Sequence, residues 1–320
     1  MEQDEIIKNV CNGKLLRPKR PNLNLNVSTT LGCSYLHNED IYLKCGPFKF
    51  ELQYADPYRL VLHDFLTTHN INQIEKEIKP RLTHTNMQPL LIDQDASNNT
   101  DTDIYDAATI YFGDDHISDN KNKNVGGKMK EEYIFAHDKY ELNVSATSDE
   151  RYHYSKSLAT TITNRIKMAT YLQGTDHEHI GRYKASLYGL AGMTERHSDS
   201  YGVEEGRSLS HLYSHFRSTG DNMVTVMFHI TDVAFGGSTY FCSKDHEGSL
   251  SSEKGAALIW FNLKPSGFPD ENQWHGGCPV AAGMKFVVTR WFKQYHQWRK
   301  FPCLLDKDTT VDISVLLKSY

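Results

Sequence analysis

No apolar run in these 320 residues approaches the roughly 18 that a membrane-spanning helix needs, so no membrane span is expected. Charge of one sign is scarce too: 35 Lys and Arg stand against 40 Asp and Glu, a formal net charge of −5. That balance gives no electrostatic reason to expect nucleic acid or an anionic membrane surface as a partner. The first residues, MEQDEIIKNVCNGKLL, lack the apolar core of a secretory leader. None of the six cysteines (Cys11, Cys33, Cys45, Cys242, Cys278 and Cys303) forms a C-x-x-C pair, so neither a thiolate zinc cluster nor a thioredoxin-type site is indicated. Against the missing leader stand three N-x-Ser/Thr sequons, at Asn26, Asn98 and Asn143, a motif that chance also produces. Disulfides are compatible with this cysteine content, but spacing does not give their connectivity.

The chain is long enough for one large domain or two modest ones. Residues 1–50, with RPKRPNLNLN and little periodicity, read as an irregular N-terminal arm. Residues 51–303 read as the main domain, with a polar insertion over 93–150 and a tail over 304–320. YRLVLHDFL (58–66) reads as a strand. Ile71, Ile74 and Ile78 predict a helix over 70–82, with Asn70 as a cap and Pro80 helping to end it. Leu158, Ile162, Ile166 and Ala169 predict a second helix over 155–174, stopped at Gly174. After residue 183 come short strands: YKASLYGL, MVTVMFHITDV, GSTYFC, ALIWFNL, HGGCPV and MKFVVTRWF. Helices followed by many short strands predict an α+β protein, helices packed on a double-stranded β-helix (jelly roll) core.

In TERHSDSYG (194–202), His197 and Asp199 stand at i and i+2, positions that share one face of a strand. Two metal ligands would then need a third. Among sixteen histidines, His211 and His215 have helical zinc-pair spacing, but Leu212 stands where H-E-x-x-H needs its glutamate. His177 and His179 lie in a polar connection, where a solvated turn is the simpler reading. His229, inside an apolar strand, reads as a hydrogen-bonded core or surface histidine. His275, between two strands, is the candidate third ligand. Two histidines and one carboxylate make a facial triad that leaves positions on iron for oxygen and an organic chelate. Lys285 shares a strand face with Val287, Thr289 and Trp291. Turned inward, it needs an anionic partner, which a dicarboxylate would supply; the alternative puts Lys285 in solvent and Phe286 and Val288 in the core.

Taken in order, H-x-D, His275 and Lys285 resemble the catalytic domain of the iron- and 2-oxoglutarate-dependent prolyl 4-hydroxylases, above all the α subunit of the collagen enzyme. YGLAGMTERHSD is similar to that family's Y-G-x-G-G-x-x-x-x-H-x-D, and FHITDVAFGGSTYF to its Y-M-S-D-V-x-x-G-G-x-T-x-F. GAALIWFNL, HGGCPVAAGMKFVVTRW and RKFPC continue the likeness, which spans about residues 5–303. The resemblance implies that His197, Asp199 and His275 hold Fe(II). Lys285 would bind the distal carboxylate of 2-oxoglutarate with Tyr188 nearby, and Trp291 would lie on the substrate side. It also implies pairing of Cys278 with Cys303 and of Cys11 with Cys33, and a place in the lumen of the endoplasmic reticulum. The implied activity is hydroxylation of peptidyl proline in a procollagen-like substrate, with 2-oxoglutarate converted to succinate and CO2. Ascorbate would restore iron oxidised in unproductive turnovers, and a protein disulfide isomerase subunit is an implied partner.

Departures fall on the substrate side: Thr194 replaces a family tyrosine, Asn222 an arginine and Lys293 a histidine. Losing an aromatic wall and a guanidinium should weaken the grip on an extended proline-rich peptide. The family's assembly and peptide-binding regions are not among these residues, as expected of a fragment, an incomplete gene model or a divergent short paralogue. Two alternatives follow: the same chemistry on another substrate, or a non-catalytic jelly-roll binding protein. The four chelating or charged positions are all kept, which argues against the second.

Overall fold

The strands expected after residue 183 form two facing antiparallel sheets in the computed structural model. It describes residues 2–12, 33–36, 41–55, 58–82, 107–112, 149–174, 183–201, 219–242, 247–297, 299–301, 304–306 and 309. The sequons, His177, His179, His211, His215, Cys303, nearly all of the polar insertion and the end of the tail lie outside these residues. The described helices are α1 (Glu2–Cys11), α2 (Ile41–Cys45), α3 (Thr68–Glu77), α4 (Lys79–Leu82) and α5 (Asp149–Thr170). The first seven strands are β1 (Cys33–Leu36), β2 (Phe48–Ala55), β3 (Tyr58–His63), β4 (Ala107–Phe112), β5 (Tyr183–Tyr188), β6 (Thr194–His197) and β7 (Asn222–His229). The rest are β8 (Phe235–Gly236), β9 (Thr239–Cys242), β10 (Glu247–Leu250), β11 (Ala257–Phe261), β12 (His275–Gly277), β13 (Val280–Ala282) and β14 (Lys285–Lys293).

The major sheet runs β1-β2-β3-β11-β7-β14-β5-β4 and the minor sheet β10-β9-β12-β6, with β8 and β13 as a separate pair. All eight residues of β7 and all five of β11 are buried, because both faces of the major sheet are covered. Val224, Val226, Phe228, Phe286 and Val288 face a layer that includes Ile71, Ile74, Ile78, Leu158, Ile162, Ile166 and Ala169. Met227, Leu258, Trp260 and Val287 turn the other way and pack with Phe241 of the minor sheet. Both alternatives for β14 therefore fail as exclusive choices: Phe286 and Val288 are in the core, and Lys285 is buried too, at 4% exposure. Among the described residues, no helix is long and apolar enough to cross a membrane.

Several local expectations are corrected. Residues 1–50 are not an irregular arm throughout: α1, β1 and α2 lie there, and β2 starts at Phe48. Phe48, Phe50 and Leu52 alternate into the core, a period of two that the polar surroundings obscured. Asn70 is not the cap of α3. Thr67 is, accepting from Asn70 N at 3.2 Å while the Asn70 side chain accepts from Thr67 N at 3.3 Å, a reciprocal capping box. Helix α5 ends at Thr170, before Gly174, and Tyr171 takes the left-handed conformation (φ 56°) that terminates it. Cys278 pairs with Cys11, not Cys303, so Cys11 does not pair with Cys33. Burial explains the choice: Val10 and Tyr240 pack with both cysteines and with Cys242, seating α1 on β9.

Candidate metal centre and its anion pocket

Strand pairing assembles the site. β12 lies beside β6, with His275 directly opposite His197, so their rings stand 4.5 Å apart. β6 ends at His197, and Asp199 sits in the bend beyond it rather than on the strand face, yet its carboxylate still turns to the histidines. One Asp199 oxygen lies 3.6 Å from His197 Nε2 and the other 3.6 Å from His275 Nε2. Among the described residues these three alone form a group able to hold a metal ion, their ligand atoms all within 4.8 Å of one another.

The hydrogen bonds decide the tautomers. His197 Nδ1 lies 2.8 Å from the Glu195 carbonyl and His275 Nδ1 2.8 Å from that of Gln273. A carbonyl only accepts, so each Nδ1 carries the proton and each Nε2 offers a lone pair. Two lone pairs thus face a carboxylate, acceptor against acceptor, an arrangement that calls for a cation between them. Burial pushes the Asp199 pKa up, yet the carboxyl is held below its usual range, with the Thr225 hydroxyl donating to it. Burial, only partly offset by Asp199, brings His275 down to about 4, so it is a neutral ligand at ordinary pH. The donor set, two neutral imidazoles and a carboxylate, suits ferrous iron.

Further bonds orient the three. Thr225 Oγ1 donates to Asp199 Oδ2 at 2.7 Å, and Asn262 Nδ2 donates to Thr225 Oγ1 at 2.8 Å. Arg59 holds Gln273 through its Nε at 3.0 Å, lies 4.0 Å over the Phe241 ring, and so braces the strand that carries His275. The Trp260 ring meets His275 at 4.7 Å. At Gly276 a Cβ would run into the Tyr240 hydroxyl and the Thr194 carbonyl, so only glycine lets β12 approach β6 this closely. Thr225, Asn262, Arg59 and Gln273 were not anticipated; a lone threonine in the apolar run MVTVMF was the available signal.

Deeper inside, Lys285 pairs across strands with Tyr188, its Nζ 5.8 Å from that ring and 3.2 Å from Thr239 Oγ1. Thr194 Oγ1 donates to the Tyr188 hydroxyl at 2.9 Å. No carboxylate lies within ion-pair distance of Lys285 among the described residues, and burial alone lowers its pKa to about 8. A Cβ on Gly277 would stand 3.5 Å from Nζ, so the missing side chain keeps space before the ammonium. His229, also buried, has an Nε2 without a partner among the described residues, and burial reinforced by the Lys285 charge lowers its pKa to about 3. Trp291 stands beside Thr225 across β14 and β7, half-buried, its indole N–H likewise without a partner.

A double-stranded β-helix carrying such a tripod resembles the iron- and 2-oxoglutarate-dependent dioxygenases. Within that class the chain resembles prolyl 4-hydroxylase α subunits. Over 154 residues it is 31% identical to prolyl 4-hydroxylase subunit alpha-1 of Gallus gallus, covering 48% of this chain and 28% of that one. Over 309 residues it is 25% identical to subunit alpha-2 of Caenorhabditis elegans, covering 96% and 47%. The chain thus spans less than half the length of these curated relatives. Among solved structures, a viral collagen prolyl hydroxylase from Paramecium Bursaria Chlorella virus-1 in a 2-oxoglutarate complex aligns at a TM-score of 0.42 and 12% identity, over 75% of this chain and 97% of that one. No family model matches the sequence.

Proposed function

We propose that the protein is a prolyl 4-hydroxylase, converting peptidyl proline to 4-hydroxyproline while 2-oxoglutarate becomes succinate and CO2. One observation carries the reading: a two-histidine, one-aspartate tripod lies in the same barrel as a buried ammonium that has no carboxylate partner among the described residues. His197, Asp199 and His275 would hold Fe(II), which supplies the dioxygen redox chemistry that side chains lack. Lys285, with Thr239 and Tyr188 beside it, would bind the distal carboxylate of 2-oxoglutarate, since a buried ammonium gains most from a charged acceptor. The aromatic walls of Phe241 and Trp260 exclude water around the reacting end. Trp291 would border the substrate.

Ascorbate as reductant and residence in the endoplasmic reticulum belong to the same proposal. The Cys11–Cys278 disulfide and the sequons support an oxidising compartment. A protein disulfide isomerase partner rests on the resemblance. A different peptide is favoured by Thr194, whose hydroxyl is engaged with Tyr188 where the resemblance calls for an aromatic wall. The deciding experiment measures succinate formation by iron-loaded protein, with and without a Pro-Pro-Gly repeat peptide. Peptide-stimulated turnover that disappears in Asp199→Ala supports collagen-type hydroxylation; turnover indifferent to the peptide transfers the chemistry to another substrate; absence of iron binding ends the reading.

A further inference from the structure

The two other substrate-side departures, Asn222 and Lys293, sit together at the junction of β7 and β14, each 4% exposed. Lys293 Nζ donates to Asn222 Oδ1 at 2.6 Å and to the Tyr201 hydroxyl at 2.8 Å, and lies 4.6 Å over the Tyr201 ring. Asn222 spends its other polar atom on the ligand loop: Nδ2 donates to the backbone carbonyl of Asp199 at 2.9 Å. The neighbouring Asp221 Oδ1 accepts from the Tyr201 amide at 2.8 Å and from the Asn222 amide at 2.6 Å. The short run Asp199–Tyr201 is therefore tied at a carbonyl, an amide and a phenol to one cluster on β7 and β14. Neither Asn222 nor Lys293 has the surface to meet a peptide.

Resting on the proposed metal reading, we infer that Lys293 and Asn222 form an internal clamp that presents the Asp199 ligand, and have no part in gripping the substrate. The chain of contact runs from Lys293 through the Asn222 amide, polarised by the ammonium, to the Asp199 carbonyl. From there it passes to the carboxylate, which Thr225 holds from the opposite side. Lys293 and Asn222 are thus positioning residues. The residue types fit that task as a set: an arginine in place of Asn222 could not accept from an ammonium. The substitutions at 222 and 293 read as one paired exchange. It follows that recognition of the substrate must come from elsewhere on the rim, so weaker binding of a proline-rich peptide is not caused by an unfilled role at these two positions.

The test uses the full chain, cobalt(II) as the metal probe, and two variants. Lys293→Met removes the ammonium. Asn222→Asp leaves Lys293 an acceptor but deletes the donor to the Asp199 carbonyl, so it separates clamp from fold. Both are expected to weaken cobalt affinity by about tenfold or more, the usual effect of losing an outer hydrogen-bond partner of a ligand, and to shift the cobalt absorption spectrum. In the iron-loaded enzyme, kcat should fall while the KM for peptide stays level. Wild-type cobalt affinity in both variants, with a raised peptide KM in Lys293→Met, overturns the inference and returns these residues to substrate binding. Wild-type protein that binds no cobalt overturns the metal reading, and the clamp with it.

Discussion

Replacing Lys285 by methionine should make the protein more stable and unable to bind its co-substrate. The side chain is 4% exposed, with one hydroxyl at 3.2 Å and no carboxylate partner. Burial lowers its pKa from 10.5 to about 8. At about 1.4 kcal/mol for each factor of ten in proton affinity, holding the ammonium there at neutral pH disfavours folding by about 3 kcal/mol. Methionine fills a similar volume without that charge, so a gain of about 1–3 kcal/mol is expected after imperfect packing is allowed for. The sign in pH follows. The native state binds a proton less readily than the unfolded chain, so the penalty is complete below pH 8 and fades as pH rises toward 10.5. The advantage of Lys285→Met should shrink over that same window. Denaturant unfolding at pH 7 and pH 9.5 measures the stability, and calorimetric titration with 2-oxoglutarate measures the loss of binding. A variant less stable than wild type at pH 7 would show that the ammonium already has a stabilising partner in the apo protein, and the argument for an anion pocket would fall.

Four other outcomes follow. Affinity of the metal-loaded wild type for 2-oxoglutarate should be flat below pH 8 and decline as Lys285 loses its proton above it, by about tenfold per pH unit until the bound carboxylate's own effect intervenes; a titration series gives the curve, and a flat response to pH 9.5 counts against the assignment. Thr225→Val removes the donor to Asp199 Oδ2 and one of the two acceptors of Asn262 Nδ2, so cobalt affinity should drop about tenfold or more, read by direct titration. Gly276→Ala forces the Tyr240 hydroxyl and the Thr194 carbonyl apart and should lose about 1–3 kcal/mol in thermal unfolding, together with metal binding. Non-reducing peptide mapping should recover Cys11 joined to Cys278, and Cys11→Ser should lower stability by about 2–5 kcal/mol; a peptide joining Cys278 to Cys303 would refute the pairing.

The strands after residue 183 were legible because each is a short apolar run between turn residues, while H-x-D, a motif chance often produces, gained weight only from the family resemblance around it. What the linear pattern could not carry was pairing. That His275 stands opposite His197 is a matter of β12 lying beside β6, and no spacing encodes it. Lys285 remained ambiguous because β14 is buried on both faces, so alternation gave two inward sides. Thr67 was missed as a cap because Asn70, its reciprocal partner, looked equally able to start the helix. The disulfide followed α1, whose contacts with β9 are invisible until the helix is placed.

The Cys11–Cys278 bond closes a covalent ring across a sequence separation of 267 residues. All three candidate iron ligands lie inside that ring, whereas Lys285, Trp291 and Lys293 lie outside it, on β14. That strand is inserted between β7 and β5 in the middle of the major sheet. Without β14 the edges of β7 and β5, both inside the ring, would face each other across a gap one strand wide. Only when β14 slots into it does the barrel acquire its ammonium. The metal donors thus lie within the covalently closed part of the chain, and the charge proposed to draw in the co-substrate is delivered by a strand beyond it.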